Sequence, residues 1–423
     1  MEDKPSMPLQ LSEHSAEAIS PKNNISEYDQ NGQKEHGLHT LPWLQVLGSF
    51  CLNGTTWKFR CISDLLLSED AARQGFSDSE ISWIGSVQGF FMFLVSFLIG
   101  PVFDAGYLHS LLLVGTLLSV VGLFMISLCT TYWQLFLAQG VAMGLGFGCL
   151  YLPAPALVSM HFDRHRALAI GLSSSGSGIG AVVFPLVFTN LEPRVGFAWA
   201  TRTIAFILLA TSVIPLAIMR FPEARRPAHD SRSTSGRKRV IKLLAKWIPS
   251  LLDRAALHDT PFILLVIRSL TTLTGIYVML YYINLLVAAR TEVPQSLASQ
   301  SPTFVNGAST VGRILPSFLA DHIGPVHILA ITAFLSSLLT FTSPSVHNSG
   351  ALVVWAIAFG SFAGAFHGVA RGGNRCGILV AEPVAGAILG THGDGWVGLV
   401  GWSASLMMAG VCVHGYGQND ADW

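Results

Sequence analysis

The 423 residues are 51% hydrophobic and 12% charged, with 25 basic residues against 25 acidic ones and a mean hydropathy of +0.51. A soluble domain carries about 25% charged residues, so this chain cannot coat a water-facing surface of its own size, and its zero net charge supplies no field that would draw nucleic acid. The apolar residues come in blocks of roughly 20, the length that crosses about 30 Å of hydrocarbon, which makes lipid the chain's main solvent and first partner.

Residues 1–42 are polar, include Lys22, Asn23, Asn24 and Asp29, and lack the apolar core of a cleaved leader. They read as a disordered cytosolic tail. Apolar blocks follow at roughly 43–62, 82–103, 108–128, 133–157, 166–189 and 200–219, the six helices of a first half over residues 43–219. Residues 220–260 then carry Arg225, Arg226, Arg232, Arg237, Lys238, Arg239, Lys242 and Lys246. Basic residues collect in cytoplasmic loops, so this loop is expected in the cytosol. Six further blocks near 261–288, 302–320, 326–342, 350–370, 376–391 and 396–415 form a second half over residues 261–415, and 416–423 make a short tail. An even number of spans puts both termini in the cytosol. The expected fold is all-α, a polytopic membrane protein with about twelve transmembrane helices in two six-helix halves.

A weak internal repeat supports the two halves. Block two ends Gly100-Pro-Val-Phe-Asp104-Ala-Gly106, and block eight ends Pro316-Ser-Phe-Leu-Ala-Asp321-His-Ile-Gly324. Gly140, Gly144 and Gly148 in block four recur at the spacing that stacks them on one helix face and admits a neighbouring backbone. Block five repeats the device with Gly171 and Ser175, then Gly176 and Gly180. Such faces serve static packing and also suit helices that must slide or rock. Gly176-Ser-Gly178-Ile-Gly180 is not a phosphate loop, because no strand precedes it and no Lys follows. The six cysteines show no CxxC pair, so neither a disulfide framework nor a metal site is expected. The absence of HExxH, GxSxG and Walker strings argues against an enzyme or an ATP-driven pump, and no cofactor is called for. The sequon Asn53-Gly-Thr55 lies inside span one and is expected to stay unglycosylated.

The string His161-Phe-Asp-Arg164-His-Arg166-Ala-Leu-Ala-Ile-Gly171-Leu-Ser-Ser-Ser-Gly176-Ser-Gly-Ile-Gly180 closely resembles the signature at span five of monocarboxylate-porter-like major facilitators. Ile81-Ser-Trp83-Ile-Gly85, Pro193-Arg194-Val-Gly196-Phe-Ala-Trp199 and Gly312-Arg313-Ile-Leu-Pro316 are similar to further segments of that family's fungal branch. The resemblance implies a secondary transporter that moves a small organic solute, a monocarboxylate-like acid or a secondary metabolite, by alternating access, in the plasma membrane or an internal membrane such as the vacuole's. It also implies gating roles for Asp104, Asp321, Arg164 and Arg166, with protons as a further partner. Three departures stand out. Span one is cut short by Lys58-Phe-Arg60, the segment Arg371-Gly-Gly-Asn-Arg375 runs into a short span eleven, and Ser309 stands where carboxylate-carrying members place a proton-carrying Asp.

Ionisable groups at membrane depth are costly and point to function. Arg313 in span eight has a guanidinium that can hold a carboxylate by two parallel hydrogen bonds; the other reading is a side chain snorkelling to the interface. Tyr277, Tyr281 and Asn284 in span seven, with Tyr282, form either the wall of a solute cavity or an interfacial aromatic belt. Glu382 in span eleven is the candidate for proton coupling.

Overall fold

The computed structural model describes residues 35–56, 78–162, 164–222, 294–346 and 348–370, with isolated helical positions between 271 and 283 and between 404 and 408. The chain divides after Leu41. Of the first unit only 35–41 are described, as helix, and all that follows concerns Pro42–Trp423.

The helices are α1 (Glu35–Thr56), α2 (Asp78–Leu98), α3 (Gly100–Asp104), α4 (Leu108–Ile126), α5 (Tyr132–His161), α6 (Arg166–Ile218), α7 (Gln295–Ile323), α8 (Pro325–Thr342) and α9 (Ser349–Ala370). Among the described residues there is no strand, as hydrocarbon demands of a chain that must satisfy its own backbone groups. Five stretches, α4, α5, α6, α8 with its following turn, and α9, are long and apolar enough to cross a membrane. Leu113, Leu117, Trp133, Leu137, Val311, Leu315 and Val354 all stand well exposed on the outside. In water such a belt would be an aggregation surface; against acyl chains it is the solvated face.

Helix bounds and apolar blocks differ because hydrophobicity marks where a helix meets lipid, while backbone hydrogen bonding continues past that point. Thus α1 starts at Glu35, ahead of the block at 43, and α7 starts at Gln295, ahead of the block at 302. Blocks five and six are one helical run, broken at Gly196, whose φ of 79° no L side chain adopts readily. Gly106 (φ 94°) and Gly324 (φ 101°) turn the chain just past Asp104 and Asp321, so the two copies of the repeat end in the same left-handed reversal. Within α5, Phe136–Met143 is π-helical, a local insertion that leaves no periodic trace in sequence.

Small residues bring the helices together. A Cβ on Gly144 would lie 3.0 Å from the Gln88 carbonyl oxygen of α2, and one on Gly148 would lie 3.0 Å from that of Met92; Gly140 faces Ile84 and Val87 of the same helix. On α6, a Cβ at Gly176 would sit 2.9 Å from the Phe50 carbonyl carbon of α1, and one at Gly180 would sit 3.0 Å from that of Gly54. Ser49, Asn53 and Ser173 complete this α1–α6 contact with buried hydrogen bonds, Asn53 Nδ2 donating to the Ser173 carbonyl at 3.2 Å. Asn53 is 1% exposed. Among the described residues two large apolar cores form, one among α1–α6 around Phe147, Phe188 and Leu208, the other among α7–α9 around Phe359, Phe366 and Trp355, with a small third cluster of Val46, Val158, Ala169 and Ile170.

Candidate functional site

The start of α6 and the end of α7 meet in an antiparallel seam with a contact at every turn. The first turn of a helix leaves backbone N–H groups without intrahelical partners. Here they are capped from another helix: Asp321 Oδ1 accepts from the Ala167 N–H at 2.8 Å, and Oδ2 accepts from the Leu168 N–H at 2.9 Å. A carboxylate at a helix N-terminus also sits against the positive end of the helix dipole. One turn on, a Cβ at Gly171 would lie 2.6 Å from the Arg313 carbonyl oxygen and would run into Ser317. Next, Arg313 Nη1 donates to the Ser174 carbonyl at 2.6 Å and to the Ser177 hydroxyl. Beyond that, Gly178 faces Thr310, whose Cβ would be 3.1 Å from an added methyl.

Along a neighbouring face, α7 lies as closely on α9. A Cβ at Gly312 would meet the Ser361 carbonyl, one at Gly364 would be 2.7 Å from Ser309 Cα, and one at Gly368 would be 3.0 Å from the Arg313 carbonyl oxygen. Between these helices remains a small cavity with room for about one water molecule. Its polar lining is Asn306, Ser309 and Arg313 from α7 and His367 from α9, closed by Leu280 on the apolar side. Arg313 is 2% exposed and His367 5% exposed. Arg313 therefore serves two surfaces: the residue lines the cavity, and its guanidinium ties α7 to α6.

The other candidate residues fall in three groups. Gly140, Gly144 and Gly148 stand at the α2–α5 contact and Gly171, Gly176 and Gly180 at the α6 contacts given above. Asp104, Arg164 and Arg166 are exposed near helix ends. Tyr277, Tyr281, Tyr282, Asn284 and Glu382 lie outside the described residues, as does the basic loop beyond residue 222. His367 went unnoticed in the sequence because a histidine in an Ala- and Gly-rich apolar run carries no local pattern. No group of His, Cys, Asp and Glu among the described residues could hold a metal ion.

A family model described as Major Facilitator Superfamily matches residues 46–373, most of the chain. The chain belongs to the major facilitator superfamily. It is accordingly a multi-pass membrane transporter and not an enzyme, and its helices belong to that superfamily's twelve-helix fold. The MFS-type transporter dbaD of Emericella nidulans is 33% identical over 85% of this chain and 82% of its own length. The Fujikurins efflux protein of Gibberella fujikuroi is 29% identical over 88% and 82%, and the Aspyridones efflux protein apdF of Emericella nidulans is 28% identical over 87% and 76%.

The Asp321 cap joins the end of α7 to the first turn of α6. Asp321→Asn keeps one acceptor but loses the charge, and hydrogen bonds to charged groups contribute about 1.5–3 kcal/mol. Partial exposure of Asp321 places the expected loss at the low end of that range. A cysteine at Thr310 in the seam should then react several-fold faster with a water-soluble maleimide than in the parent. An unchanged labelling rate would mean that the cap is not what holds the seam.

Proposed function

We propose that the protein is an efflux carrier for an acidic secondary metabolite, working by alternating access in the plasma membrane. The α6–α7 seam is its cytosolic gate, shut in this conformation, and Arg313 is the residue that receives the solute's anionic group. The observation that carries this reading is the position of Arg313, a buried cation that lines the cavity while holding Ser174 and Ser177 of the facing helix. A solute carboxylate competes with those two neutral acceptors for the guanidinium, and charge-assisted hydrogen bonds are about twice as strong as neutral ones. Binding of the solute and release of the seam are thereby the same event, as an alternating-access carrier requires. The efflux names of two relatives support the direction; the basic loop supports the orientation.

Arg313→Lys tests it. The charge stays and the planar fork is lost, so transport of a labelled panel of benzoate, cinnamate and octanoate into inverted plasma-membrane vesicles should fall by about tenfold or more, the equivalent of about 1.5 kcal/mol. Surface expression should be normal. Equal transport by the variant and the wild type would remove Arg313 from the solute site.

A further inference from the structure

Resting on the transport reading above, we propose that the π-helical segment Phe136–Met143 of α5 is the hinge that closes the pathway at the end away from the seam, with Gln139 as the residue that positions it. The segment begins one turn into α5, after Tyr132–Leu135, whereas the seam lies past the other end of that helix, beyond His161. Alternating access needs a closure at each end. Gln139 is fully buried, and among the described residues neither its amide nitrogen nor its amide oxygen has a hydrogen-bond partner. Buried side-chain amides are normally bonded, and one that is not destabilises the conformation that holds it. Short π-helical stretches inside α-helices recur at working sites. Both irregularities fall on the same eight residues.

Packing against α2 loosens at the same place. A Cβ on Gly148 would lie 2.5 Å from Val95 Cβ, and one on Gly144 would lie 2.9 Å from Phe91 Cβ; at Gly140 the nearest atom would be 3.4 Å away, an ordinary contact. Thus α2 clamps α5 past the π-helical segment and leaves it room to lean within it. On its other side the segment rests on α4 at Gly122, where a Cβ would come to 3.1 Å from the Ala138 carbonyl oxygen, so the looser α2 face sets the direction of movement. Taking up the extra residue of a π-helical turn rotates what lies beyond it by about 100°, one residue's share of a 3.6-residue turn. Carried with that end are Tyr132, Trp133 and Phe136, whose rings pack on one another with centroids 5.7 to 6.1 Å apart, a bulky apolar unit able to shut a pathway. The same rotation re-aims Gln139 away from the apolar packing it now shares with the buried Leu135, Ala138 and Met143 of α5. Its unbonded amide disfavours the conformation with the seam shut and so favours the opposite one.

Gln139→Met tests this, because methionine keeps the length of the side chain and removes both polar atoms. In the full-length protein without solute, the variant should melt about 2 °C or more above wild type. Combined with Thr310→Cys, it should react with a water-soluble maleimide several-fold more slowly than Thr310→Cys alone, since the shut seam has lost its penalty. A glutamine that only packs, or one whose amide holds an internal water, would leave the labelling rate unchanged or lower the melting temperature, and either result overturns the proposal. The hinge itself is read with spin labels on Leu117→Cys and Trp133→Cys, both positions being exposed on the outside, with the native cysteines replaced. Two distances in the parent that collapse to one in Gln139→Met are the expected result. One distance shared by both proteins overturns the hinge. If Thr310→Cys alone labels at no measurable rate, the reading of the seam as a gate is what fails, and the spin-label distances still decide the hinge.

Discussion

Gly176→Leu should abolish accumulation of the folded protein, and Gly176→Ala should already lower it severely. The first added carbon would sit 2.9 Å from the Phe50 carbonyl carbon and closer still to its oxygen. Overpacking against side chains that can turn away costs about 1–3 kcal/mol. Here the obstacle is helix backbone, which cannot rotate aside, so α1 must move off α6 and take with it the buried hydrogen bonds of Ser49, Asn53 and Ser173. Stability margins of about 5–15 kcal/mol leave little room for such a loss. Gly307→Ala is the matched control: a Cβ there has nothing within 4 Å, so its expression should equal wild type. Monodisperse Gly176→Leu protein at wild-type yield, read by fluorescence-detected size exclusion, would show that α1 and α6 do not pack as described.

Much of this architecture is readable in the residues themselves, for identifiable reasons. Four-residue spacing gives Gly140, Gly144 and Gly148 one smooth face, and that face lies on α2. Apolar blocks mark helices because the bilayer imposes a length on each. The Asp-to-Gly endings at Asp104–Gly106 and Asp321–Gly324 repeat because both need a left-handed glycine to reverse the chain. Other features depend on which helix stands opposite, and sequence order does not contain that. Asp321 stands out in the sequence through the repeated helix ending, but the groups it holds, the N–H groups of Ala167 and Leu168, are visible only in the fold. Arg313 reads as either a solute ligand or a snorkelling cation; its bonds to Ser174 and Ser177 come from residues far away in the chain. His367 lacks any signal of its own and gains meaning from sharing a cavity with Arg313. The π-helical turns of α5 and the early start of α7 are backbone facts that side-chain pattern does not record.

The second large effect concerns the seam as a gate. If α6 and α7 must separate once in every transport cycle, a covalent link across them stops the carrier while leaving it folded. Gly178 and Thr310 are suited to this because a Cβ on the glycine would lie 3.1 Å from the threonine Cβ, and a disulfide needs about 3.5–4.5 Å, a gap the helices reach by a small outward shift. Each single cysteine variant reports any cost of the substitution itself. With the six native cysteines replaced, Gly178→Cys combined with Thr310→Cys should transport the solute when reduced, lose transport on oxidation and recover it on addition of dithiothreitol. Undiminished transport by the fully cross-linked protein would contradict the account, because the seam would then not be a gate.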